Sequence, residues 1–169
     1  MRAPAILLAL ATVLGAAVRL DVPFVRQEKN GCGSAALSML IAYWERNGGT
    51  VPSGAGDAAA IQRELYSKEA EGIYASDLVR YLERNGFHAF TFQGTWEDLG
   101  RHLAKGRPLI VSLGNSRLHY VVVAGMEPER GLLLVNDPAG RKLSVLDRAA
   151  FERAWKGRWT LLAVPRDAR

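Results

Sequence analysis

The sequence predicts an α+β domain, with helices first and a mostly antiparallel sheet after them. Three observations carry this. The 169 residues, 49% hydrophobic and 23% charged, fit one globular domain with a core of its own. Between Gly33 and Asn85, apolar residues recur at helical spacing. From Phe87 onward they gather in short alternating or continuous runs separated by turn residues. No internal repeat, low-complexity tract or long linker divides the chain.

The elements follow in order. Val22-Pro23-Phe24-Val25 reads as a short extended segment. A helix over 33–47 places Ala36, Leu37, Leu40, Ile41 and Trp44 on one face, and Asn47-Gly48-Gly49 stops it. Residues 48–56, rich in Gly, Ser and Pro, form a loop. A second helix over 57–67 carries Ile61, Leu65 and Tyr66, and a third over 76–85 carries Leu78, Val79, Tyr81 and Leu82. Ser76-Asp77 is expected to cap the third. Phe87 to Phe92 alternates like a strand. Thr95 and Asp98 form a capping box that opens a helix to about Lys105. Strands are expected at 108–113, 118–126, 131–136, 142–145 and 159–164, with a short helix, capped by Asp147 and running to Trp155, before the last.

The first seventeen residues stand apart. Arg2 precedes an apolar stretch from Ala5 to Leu14, and Gly15-Ala16-Ala17 follows. A positive start, a short apolar core and small residues at its end describe a secretory signal peptide. The stretch is short for a membrane span, which needs about 20 residues. Cleavage is expected after Ala17, leaving 18–169 as a single domain in the periplasm or outside a bacterial cell. The net charge of +5 is scattered, with no Lys/Arg run to suggest nucleic acid.

There is one cysteine, Cys32. It can form no internal disulfide and no multi-cysteine metal site. A lone exported thiol is either buried and inert or kept for its reactivity. Cys32 stands at the start of the first helix, where unpaired N–H groups and the helix dipole favour thiolate. Gly31 and Gly33 flank it, which is expected to let the backbone turn tightly and a substrate approach. A cysteine nucleophile needs a base, and three histidines are available. His88 lies within a strand. His102 lies between Arg101 and Lys105, on what is expected to be a solvated helix side. His119 opens the apolar strand Tyr120-Val121-Val122-Val123 and is the expected partner. Asp137, across the hairpin from His119, is expected to orient the imidazole. Asn136 is the neighbouring alternative, and strand alternation lets only one of the two face the site. The main-chain N–H of Cys32 and the side chain of Gln27 are candidate oxyanion donors. This chemistry requires no cofactor, and no metal cluster is visible in the sequence.

Val22-Pro23-Phe24, Gln27, Cys32-Gly33, Ala35, Leu37 and Met39, then His119-Tyr120-Val121-Val122-Val123, then Asn136-Asp137-Pro138 closely resemble the bacteriocin-leader peptidases. These double-glycine peptidases are a branch of the papain-like cysteine peptidases. Phe151, Trp155 and Gly157 before an apolar strand also fit, and the resemblance covers nearly all of 18–169. It implies a papain-like fold with Cys32 as nucleophile, His119 as base and acid, Asp137 as orienter and Gln27 as oxyanion donor. It also implies cleavage after a Gly-Gly pair through a thioester.

Three features depart from the best-known members. The chain has no membrane spans and no ATP-binding loop, so it resembles an exported, stand-alone relative. Gly31 stands where the family often has an acid. Double-glycine preference belongs to members fused to transporters, whereas exported relatives accompany secretion or surface-fibre systems. The leading expectation is an exported cysteine endopeptidase acting on a secreted peptide or protein client. Alternatives are a peptide-docking module with a degenerate site, a papain-like amidase or acyl transferase, and a structural fold with a buried thiol.

Overall fold

The computed structural model describes residues 16–114 and 119–168. The expected signal segment lies outside the described residues except for Ala16 and Ala17, as does Leu118 of the expected strand 118–126.

Seven strands form one antiparallel sheet in the order β2-β7-β3-β4-β5-β6, and the two-residue β1 pairs with β4. They are β1 (Val18–Arg19), β2 (Phe87–Gln93), β3 (Leu109–Leu113), β4 (His119–Glu127), β5 (Leu132–Asn136), β6 (Ser144–Asp147) and β7 (Trp155–Pro165). The helices are α1 (Cys32–Arg46), α2 (Ala58–Leu65), α3 (Ala75–Arg84), α4 (Trp96–Ala104) and α5 (Arg148–Ala154). The α+β expectation of N-terminal helices on an antiparallel sheet holds, and a second helical layer extends it.

Strand alternation sends the sheet's apolar side chains to two cores. Ile110, Tyr120, Val122, Ala124, Leu161 and Ala163 pack with α1, α2 and α3. Leu109, Val111, Val121, Val123 and Leu162 pack with Trp96, Leu99 and Leu103 of α4 and with Phe151 of α5. Both faces of β3 and β4 are therefore covered. This explains why those strands are nearly continuous apolar runs, a pattern more common in parallel sheets.

Helix α1 is buried along most of its length. Its polar groups are satisfied internally: Ser34 Oγ donates to Gly31 O, Ser38 Oγ to Gly56 O, Tyr43 Oη to Gly106 O and Trp44 Nε1 to Ala163 O. A buried hydroxyl or indole N–H left without an acceptor would cost about 1–3 kcal/mol, so these bonds fix the helix rotation as well as its depth.

The predicted caps hold in two of three places: Asp147 accepts from Ala150 N–H, and Thr95 and Asp98 close their box. Asp57, not an expected cap, also accepts from Ala60 N–H. Ser76-Asp77 is the exception. The helix begins earlier because Tyr74, in extended conformation, already accepts from the N–H groups of Asp77 and Leu78. Asp77 instead sits in the first turn and pairs with Arg80. Two strands also shift. β6 starts at Ser144 because Leu143 is left-handed (φ 53°) and donates to Asn136 Oδ1, holding the chain in a turn. β7 starts at Trp155, earlier than expected, because it pairs with both β2 and β3.

Candidate active site

The site is assembled from four stretches of chain. The first is a strap from Val18 to Gly31. β1 pairs with Met126 and Gly125, Leu20 N–H donates to Ala124 O, and Val22 is fully buried. Near its end, Gln27 N–H donates to Pro138 O at 3.0 Å. This places Gln27 beside the turn that follows β5.

The second stretch is the start of α1. Cys32 is its first helical residue and no acid lies in the first turn. The unpaired N–H groups there favour negative charge on sulfur. The flanking glycines do not serve unusual backbone angles. A Cβ on Gly31 would stand 3.1 Å from Glu28 O, and one on Gly33 would stand 3.1 Å from Ile73 Cβ. Both positions are small because neighbours press on them. The left-handed residue of the turn is Asn30 (φ 58°).

The third stretch is the start of β4. The Cys32 thiol stands in the same cleft as His119 and is influenced by that imidazole and by the main chain of Tyr120 and Gly33. Burial alone would push the thiol up, but these neighbours outweigh it and hold the thiol below its usual range. His119 is held above the usual imidazole range. Cys32 is the largest cause, burial opposes it, and Asp137 adds to the rise. Both directions favour a thiolate–imidazolium pair. The buried Tyr120 ring packs on Trp159, and burial pushes its hydroxyl up to about 12, with negative charge on Cys32 adding to it.

The fourth stretch is the end of β5. Asp137 Oδ1 lies 2.7 Å from His119 Nε2 and also accepts from Ala139 N–H at 2.9 Å. The second bond fixes the carboxylate from behind. The fully buried Asn136 points the other way. Of the two neighbours, Asp137 is thus the one that meets the imidazole.

Cys32, His119 and Gln27 line one cleft of about 610 Å³. The opposite wall is Glu69 to Ala75, where Ser67 and Gly72 bridge to close a tight turn. Sequence periodicity did not mark this wall, because a turn between helices has none. The Gln27 amide oxygen is buried with no hydrogen-bond partner. The main-chain N–H of Cys32 belongs to the helix's first turn, whose N–H groups have no intrahelical acceptor. A polarised thiol, an imidazole within reach of it, a carboxylate behind the imidazole and nearby amide donors can together perform acyl transfer.

The other histidines stand elsewhere. His88 is exposed and stacks on Phe90. His102 is not on a solvated side as expected. It is half-buried against Phe92, and its Nδ1 has no partner. Burial, then the positive charge of Arg107, holds it below the usual range.

Helices on both faces of an antiparallel sheet, with the first helix aimed at the mouth of a central strand, make this a papain-like α+β fold. The chain belongs to the Peptidase_C39-like family, whose model matches residues 19–160.

Three solved structures share the fold. A double-glycine-motif protease from an AMS/PCAT transporter, in complex with its leader peptide, is 24% identical. That likeness covers 88% of this chain and 94% of the other, with a TM-score of 0.67. The peptidase domain of Streptococcus ComA, a bifunctional ABC transporter involved in quorum sensing, is 21% identical over 85% and 98% of the two chains, with a TM-score of 0.63. The N-terminal peptidase C39-like domain of a toxin secretion ATP-binding protein from Vibrio parahaemolyticus is 17% identical over 82% and 99%, with a TM-score of 0.57. Comparison with curated proteins gives no match.

Proposed function

We propose that this protein is an exported cysteine endopeptidase that cleaves a secreted peptide or protein client. The observation that carries the proposal is the contact of Cys32 with His119, itself bonded to Asp137, in a cleft open to solvent.

In the proposed reaction the Cys32 thiolate attacks the scissile carbonyl carbon. The oxyanion is received by the Cys32 main-chain N–H and the Gln27 side-chain amide. The imidazolium of His119 gives its proton to the leaving amine as the C–N bond breaks, leaving a thioester. His119 then takes a proton from water, the hydroxide attacks the thioester, and the sulfur leaves as thiolate. Asp137 holds the imidazole in one orientation and stabilises its charged form.

The client side of the proposal is a Gly-Gly or Gly-rich segment. Ile73 is pressed against Gly33 directly beside Cys32, and Gly72 precedes it in the wall. A side chain on the substrate would compete for that space. No helix among the described residues is long and apolar enough to cross a membrane. The first described strand starts at Val18, the residue that would follow signal cleavage. Export to the periplasm or the medium is part of the proposal.

The test is incubation of the chain from Val18 with a peptide panel containing and lacking Gly-Gly pairs, beside Cys32→Ala. Cleavage by wild type alone supports the proposal. Peptide binding by both, with cleavage by neither, would assign a docking role instead. Hydrolysis confined to non-peptide amides would assign an amidase.

A further inference from the structure

Asn136 is a buried polar residue that joins two parts of the site's framework. It is fully buried at the end of β5. Its Nδ2 donates to Val22 O at 3.1 Å and to Pro23 O at 3.3 Å. Its Oδ1 accepts from Leu143 N–H at 3.0 Å. Val22 and Pro23 belong to the strap that carries Gln27, whereas Leu143 closes the loop that begins with Asp137.

Two further bonds make this more than local packing. Gln27 N–H is held by Pro138 O, inside the same loop. Asp137 N–H donates to Arg141 O, and Gly140 N–H donates to Asp137 O, so the loop is internally stiff. The strap therefore meets the Asp137 loop at three points among the described residues: the Asn136 amide, the Gln27–Pro138 bond and an exposed Asp21–Lys142 ion pair, which as a surface pair holds little. Val22, Pro23 and Gln27 are close in sequence, so the first point sets where the second falls.

We propose that Asn136 is a positioning residue that fixes the Gln27 side chain against the Asp137 loop, so that the oxyanion donor and the Cys32–His119 pair are held as one frame. It touches no substrate and acts only through Gln27 and the loop. This inference rests on the proposed peptidase reading.

Asn136→Asp separates the two arms. The carboxylate still accepts from Leu143 N–H, so the Asp137 loop is kept. At a pH that ionises the carboxyl, its other oxygen has no hydrogen to offer the two carbonyls, and the strap is released. On a peptide substrate, with rates normalised to titrated active thiol, kcat should fall about tenfold while KM changes less than about twofold. Thiol alkylation, which needs no oxyanion donor, should keep its rate and pH profile. In a Gln27→Ala background the same substitution should cost less than about twofold, because the residue it positions is gone. Additive losses in the double variant, or an equal loss of alkylation, overturn the proposal.

If Asn136→Asp does not fold, Asn136→Ser, which keeps one hydroxyl donor, takes its place with the same expected pattern at smaller size. Amide exchange distinguishes this inference from the peptidase reading. If wild type cleaves no peptide, the peptidase reading fails. Residues 24–31 should nevertheless exchange about tenfold faster in the variant while the interior of α1 is unchanged. Unchanged exchange over 24–31 overturns the coupling itself.

Discussion

His119 Nε2 lies 2.7 Å from Asp137 Oδ1, across the open end of the β4–β5 hairpin. The carboxylate takes one imidazole nitrogen, so Nδ1 is the nitrogen left available to the thiol. His119 and Asp137 side chains remain 27% and 32% exposed. The pair is shielded enough to matter and still reachable by solvent and substrate.

The first prediction concerns thiol reactivity. The Cys32 thiol is held low and His119 is held high, so the thiolate forms before an ordinary thiol would. Alkylation by iodoacetamide should therefore rise at lower pH than that of a free thiol of pKa about 8.5. In His119→Ala, burial is less opposed, and the profile should move to higher pH. The rate at pH 6.5 should fall about tenfold or more, because the thiolate fraction drops about tenfold for each pH unit below the thiol's midpoint. Superimposed profiles would sink the ion pair.

Peptide hydrolysis should follow a bell-shaped pH profile. The acid limb reports loss of thiolate and the alkaline limb loss of the His119 proton, and both belong to the coupled pair. Because His119 is raised, the alkaline limb should lie above its ordinary range near 6.5. Stopped assays from pH 5 to 10 measure this.

Asp137→Asn keeps the size of the side chain but removes its charge. A hydrogen bond to a charged group is worth about 1.5–3 kcal/mol, so kcat/KM should fall about 10- to 100-fold. The alkaline limb should move to lower pH, since one of the contacts that raise His119 is gone. A fall in kcat/KM without that movement would mean the carboxylate is only structural.

Gln27→Ala should lower kcat by about 10²–10³-fold, the usual effect of losing one oxyanion donor. Alkylation of Cys32 should be unaffected. An equal loss in both assays would mean that Gln27 shapes the thiol rather than the oxyanion.

Leu40→Ala tests the core beneath the site. Leu40 is fully buried in the cluster joining α1 to the sheet. The variant should lose about 2–5 kcal/mol of stability in urea unfolding. Expression of the full chain in a bacterial host, followed by fractionation and N-terminal sequencing, tests export. A periplasmic product beginning at Val18 is expected, and an intact cytoplasmic chain would overturn export.

Most of the element order was legible because apolar periodicity is local. α1 reads from Ala36, Leu37, Leu40 and Ile41, and α4 reads from its capping box. The places that misled are those decided by distant partners. Tyr74 starts α3 because its own backbone is already extended, so Ser76 and Asp77 have no cap to supply. β7 gains its early residues from pairing with β3. His102 was expected in solvent, yet Phe92 from the neighbouring strand covers it.

By itself the sequence determined the ingredients: one thiol at a helix start, three imidazoles, a Gln before the thiol and an Asn-Asp pair after an apolar strand. These follow from residue types and short-range spacing, which any chain carries along its length. Only the tertiary structure decided which imidazole meets the thiol and which of Asn136 and Asp137 meets the imidazole. Those choices depend on strand register and on the packing of α1 against β4, which bring together residues 87 and 18 positions apart. The same long-range packing decided the work of Asn136, whose partners lie 114 and 113 residues away. A hydrogen bond across that distance leaves no local pattern in the sequence.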